Sequence, residues 1–282
     1  MNKMMTAPQK TEKKSFFRSN PIMNRLTKVG ETAQSKAAAY SGIMSKTVFF
    51  LLFTAAGMIL YLYLRNTLFA GQADVISVDF DGFIVSTSKL ELIVIAGVAI
   101  LGIITQLISA FAPSAVPVTG SIYSVTQGFF ISFMVFTVLK GYEYLGLLAL
   151  VITMAIVLVM AALYTTGVIR ATQKFKTVML TLVFTMIAVS ILTFIGSLIP
   201  LTRPFVTAIM GNFWVSIGLT VLSILIASLF LISDFAAIEE VVENRLPSKY
   251  EWSAAFALVF TVLWIYVKVL DLLIQIVGKN KD

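Results

Sequence analysis

A bundle of seven membrane-spanning α-helices is the fold class this sequence predicts. Of its 282 residues, 59% are hydrophobic, above the roughly 45–50% of soluble domains. Mean hydropathy is +0.94. Seven long apolar runs follow one another from about Thr47 onward, each near the ~20 residues that a spanning helix needs.

The runs cover 46–65, 90–111, 117–139, 143–167, 177–199, 213–235 and 251–277. A membrane barrel would need short alternating segments, and these runs are too long and too continuously apolar for that. The organisation that follows is a basic cytoplasmic tail at 1–45, the helical domain at 46–277 and a short polar C-terminus at 278–282. Between the first two runs, Val78-Asp79-Phe80-Asp81-Gly82-Phe83 reads as a small hairpin. Its two acids lack the further ligands of a calcium loop. Pro113, Pro117, Pro200 and Pro204 fall in or beside connections.

Basic residues set the orientation. Lys3, Lys10, Lys13, Lys14, Arg18, Arg25, Lys28 and Lys36 face only Glu12 and Glu31 in the tail. That pattern fits a cytoplasmic segment against anionic lipid, and no nucleic-acid partner is expected. It is not a cleaved signal peptide, because no apolar core follows the early lysines. Arg170, Lys174 and Lys176 mark the next inner loop, and Arg245 and Lys249 the one after the sixth run. Outer loops carry few bases: Arg65, Lys89, Lys140 and Arg203. Seven spans then put the C-terminus outside, although Lys279 and Lys281 run mildly against that.

The chain contains no cysteine and no histidine. Disulfides, thiolate sites and imidazole chemistry are excluded. No nucleophile–base pair, phosphate loop or metal-ligand spacing is visible, so neither an enzyme nor a cofactor is expected.

Two charges interrupt the last spans. Asp234 lies in the sixth run and Lys268 in the seventh. Such residues cost about 2.5–3.5 kcal/mol at mid-bilayer on insertion scales and mark functional sites. The residue midway between them in sequence is 251, beside the turn signal Pro247-Ser248-Lys249-Tyr250. Antiparallel helices joined there bring the two to similar depth, Asp234 about 20 Å from Pro247 up one helix and Lys268 about 27 Å up the other at ~1.5 Å per residue. The expectation is an Asp234–Lys268 ion pair facing the bundle interior. Asp271, three residues after Lys268 on the same face, competes for the lysine, and a shared cluster of all three stays open. Glu91 and Lys46, at the ends of their spans, read as interfacial.

The stretch "SDFAAIEEVVENRLPSKYEWSAAFALVFTVLWIYVKVLDLL" from Ser233 resembles the last hairpin of the Bax inhibitor-1 family in its bacterial YccA-like branch. Asp234, Ile238-Glu239, Pro247, Lys249-Tyr250 and Glu251-Trp252 carry the likeness. Ser19-Asn20-Pro21, "YSGIMSKTVFFLL" and "LYTTGVIRATQKFK" resemble further family segments. The resemblance implies a seven-helix bundle with the last helix near the centre, in a bacterial cytoplasmic membrane. It implies an ion leak or transport activity, with calcium or another cation as cargo. Some members are pH-sensitive calcium leak channels whose sensor is a pair of acids on the last two helices, sharing one proton because both cannot ionise cheaply. This sequence matches the first acid with Asp234 but has Lys268 at the second. In the third helix, where the family tends to have an acid, it has Gln127. Asp234, Lys268, Asp271 and Gln127 are therefore the candidate pathway or gating residues, and the Asp234–Lys268 pair is expected to stay charged through neutral pH. The competing expectation is a non-transporting protein that binds other membrane proteins or a membrane protease.

Overall fold

The computed structural model describes residues 36–70, 75–80 and 83–279. The N-terminal motif at Ser19-Asn20-Pro21, most of the basic tail, Asp81-Gly82 and the final residues 280–282 lie outside the described residues.

Among the described residues, seven helices are long and apolar enough to cross a membrane. We number them α1 (Tyr40–Leu64), α2 (Lys89–Phe111), α3 (Val116–Phe133), α4 (Tyr144–Thr165), α5 (Gln173–Leu198), α6 (Phe213–Glu243) and α7 (Tyr250–Lys279). Helices satisfy every backbone polar group internally, as lipid demands. The first begins at Tyr40 rather than at 46. Both α1 and α3 end in a single π turn, Arg65–Phe69 and Met134–Val138. A short helix, Arg203–Met210, links α5 to α6. The first connection forms an antiparallel hairpin, β1 (Val75–Phe80) with β2 (Phe83–Ser88), in which Phe80 stands opposite Phe83.

Packing is tightest where side chains are smallest. α1 and α3 cross with Gly57 against the Val125 backbone and Gly128 against the Thr54 backbone, the close approach that small residues permit between membrane helices. The last helix is indeed central: α7 packs against α6, α1, α4 and α3. By contrast α5 is peripheral, with Met179 its one buried side chain.

Capping and ionic contacts fix the ends. Asn212 caps α6 by accepting from the Trp214 and Val215 amides, and Lys279 closes α7 over the Phe213 and Trp214 rings at 3.8 and 5.0 Å. In the α3–α4 connection Gly141 takes a positive φ of 88°. Its amide donates to Glu143 at 2.9 Å, which holds that exposed carboxyl below its ordinary range.

Glu91 and Lys46 are held by side-chain partners within the bundle. Glu91 is 5% exposed. Its carboxylate accepts from Tyr61 Oη (2.6 Å), Thr87 Oγ1 (2.7 Å) and Thr137 Oγ1 (3.2 Å). Lys46 pairs with the buried Glu251 carboxylate and lies over the Trp252 ring. A residue at the end of one span becomes interior once neighbouring ends fold over it, and every partner here comes from elsewhere in the chain or from the hairpin.

Candidate functional site

The site follows from the register of the α6–α7 hairpin. Asp234 bonds Thr261, the Phe230 and Trp264 rings sit 6.2 Å apart, and Gln275 Nε2 donates to Thr220 Oγ1 at 3.0 Å. All three pairs are symmetric about Pro247–Ser248, not about residue 251. Local conformation sets that centre: Pro247 is tied by an isolated bridge to Ala37, and Arg245 ends α6 with a φ of 49°. α6 runs 31 residues, about 46 Å at 1.5 Å per residue, and Asp234 has more than two turns of helix beyond it.

That register corrects the expected ion pair. At the depth of Asp234 the facing residue is Thr261. Lys268 is seven residues, or about 10 Å, farther along α7. Among the described residues no ion pair joins Asp234 to Lys268. Lys268 instead meets Asp271 at 3.5 Å, an i,i+3 contact on its own helix. The other Asp271 oxygen accepts from Gln275 Nε2 at 3.1 Å, and Ser216 Oγ donates to Gln275 Oε1 at 2.9 Å. The lysine is thus answered locally, and the acid is left to a hydroxyl.

Asp234 keeps one oxygen unused. Its Oδ2 is buried and has no hydrogen-bond partner among the described residues. A buried polar group in that state is costly and calls for an explanation. Asp234 lines a cavity of about 620 Å³ whose other polar lining residues are Gln106 of α2, Tyr123 and Gln127 of α3, and Thr261 of α7. Gly102 of α2 brings its bare backbone against Thr126 and Gln127, which draws α2 and α3 together there. The structure therefore unites two of the sequence candidates, Asp234 and Gln127. It separates the other two: Lys268 lines a second cavity of about 900 Å³ between α5, α6 and α7, with Asp271 beside it.

Gln106, Tyr123 and Thr261 were missed by sequence reasoning. A signal for Gln106 existed, an amide in an otherwise apolar span, and Pro247 as the hairpin centre would have pointed to Thr261. Tyr123 carried no signal apart from its packing.

Chemically the cavity offers one carboxylate, two amides and two hydroxyls, all with oxygen atoms that a hard cation accepts. One acid gives weak, reversible attraction, the condition for an ion that must leave as well as enter. Among the described residues no group of three or more acids is placed to hold a metal. On the side of the α6–α7 turn a further cavity of about 1000 Å³ contains Arg170, Lys176, Glu239 and Glu240. There Tyr164 donates to Glu239, and Lys176 lies 3.8 Å from Glu240.

The family model described as Bax inhibitor 1 like matches residues 20–278. No curated protein and no solved structure matches the chain.

Proposed function

The chain belongs to the Bax inhibitor 1 like family, and from that premise we propose that it is a cation leak or transport protein, with calcium the first cargo to test. Asp234 is the group that receives the ion. One observation carries this reading: a buried carboxylate, one oxygen of which has no partner among the described residues, in the wall of a cavity that also carries two amides and two hydroxyls. The basic residues of the connections, Arg170, Lys174, Lys176, Arg245 and Lys249, support a cytoplasmic α6–α7 turn, and the family resemblance supports a bacterial cytoplasmic membrane.

A single acid changes the pH response this family's two-acid sensor implies. Among the described residues that line its cavity there is no second carboxylate to share a proton and no lysine to lock the charge. Acidification neutralises Asp234, so flux falls with pH along a curve no steeper than one proton.

The purified protein in liposomes, loaded with calcium and followed with an external dye between pH 6 and pH 8, tests the reading. The expected result is release above protein-free vesicles, decreasing smoothly toward pH 6. Release at the protein-free level for both calcium and potassium overturns it and favours the membrane-protein-binding alternative. In that case removal of residues 1–40 should abolish recovery of a partner.

A further inference from the structure

One face of α7 reads Thr261, Trp264, Lys268, Asp271, Gln275, at the i, i+3, i+4 spacing of a helix stripe. Four of these five side chains are polar. Trp264 is the interruption.

Its position explains the interruption. The cavity of Asp234 and the cavity of Lys268 share three lining residues: Trp264 of α7, and Met186 and Ile187 of α5. On one side of them lie Asp234, Gln127 and Thr261. On the other lie Lys268, Ser223 and Thr220, continued by the Asp271–Gln275–Ser216 bonds toward the α7 C-terminus. The Trp264 ring is steadied by Phe230 and Phe260, each with its centroid 6.2 Å away. Three large apolar side chains in the walls of two cavities that each carry polar groups are the kind of lining that blocks ions by excluding water.

We infer that Trp264, which shares the walls of both cavities with Met186 and Ile187, is the partition of a cation path, and that its displacement joins the Asp234 chamber to the Lys268–Asp271 chamber. The inference rests on the cation reading of the Asp234 cavity and adds the barrier and the second half of the route. The wall that moves is α5. It buries one side chain against the bundle, and sparse burial marks the segments that open at least cost. Lys268 lies on this route without opposing it as a bare charge, because Asp271 neutralises it.

The absence of native cysteine gives a test free of background. Gln127→Cys reports the Asp234 chamber and Ser223→Cys the Lys268 chamber, in the full-length protein in vesicles of known orientation. A charged, membrane-impermeant methanethiosulfonate is applied to one side at a time. With Trp264 present, Gln127→Cys is modified from the side of the α6–α7 turn and Ser223→Cys from the opposite side. Added Trp264→Ala makes each reactive from both sides, the forbidden direction accelerating about ten-fold or more, equivalent to about 1.4 kcal/mol off the barrier. Trp264→Phe keeps one-sided labelling. If Trp264→Ala does not yield folded protein, Met186→Ala thins the same partition from α5 and should give the same loss of sidedness. Sidedness that survives both alanine variants overturns the inference. So does a pair of cysteines that react from the same side, or from neither. Labelling does not depend on transport: the expected labelling without cation flux sinks the cation reading alone, and flux with unchanged labelling sinks the partition alone.

Discussion

Asp234→Asn lowers cation flux in liposomes by at least about ten-fold, while Lys268→Ala does not lower it. The first substitution keeps the volume of the side chain and its capacity to bond Thr261 but removes the charge from the cavity. A unit charge pair 4 Å apart is worth about 4 kcal/mol at an effective dielectric near 20, so even a loosely held ion loses most of its attraction. Lys268 lies two helical turns away and is engaged with Asp271. Its removal does not reach the carboxylate. The pH dependence separates the two variants as well: it disappears with Asp234→Asn and persists with Lys268→Ala. Flux unchanged by Asp234→Asn contradicts the assignment.

Gly128→Leu removes the folded protein. A Cβ at Gly128 runs into the Thr54 backbone, and one at Gly57 into the Val125 backbone. Neither obstacle is the end of a flexible side chain, so α1 and α3 must separate. That crossing lies among the buried rings of Phe50, Tyr61 and Phe129, and overpacking it costs more than about 3 kcal/mol. Size-exclusion profiles and thermal unfolding in detergent measure the effect. Gly97→Ala is the control, since nothing lies within 4 Å of its Cβ position, and its melting temperature should match that of the parent. A monodisperse Gly128→Leu protein with parental stability contradicts the packing described.

Periodicity and hydropathy made the spans legible, because lipid forces long apolar helices whatever their neighbours. The hairpin was legible for a similarly local reason, alternating Val and Phe around Asp-Gly. What stayed hidden depends on partners distant in sequence. Glu91 reads as a span-end charge until Tyr61 and Thr137, on two other helices, are seen to close over it. The same holds for Lys46, whose acid is more than two hundred residues away. The Asp234–Lys268 expectation failed by a few residues of register: a hairpin centred at Pro247 instead of 251 moves the facing position on α7 from Lys268 to Thr261. Gln127 was recognised as part of the site from the family pattern, whereas Gln106 and Tyr123 needed the folded bundle.

The claim on which the rest depends is that Asp234 stands at the level of Thr261, apart from Lys268. Oxidative cross-linking of two double variants measures this, since a disulfide requires Cα atoms no more than about 7 Å apart. Asp234→Cys with Thr261→Cys should close under mild oxidant in the membrane, and Asp234→Cys with Lys268→Cys should stay open. Efficient cross-linking of the second pair, with none of the first, contradicts the account.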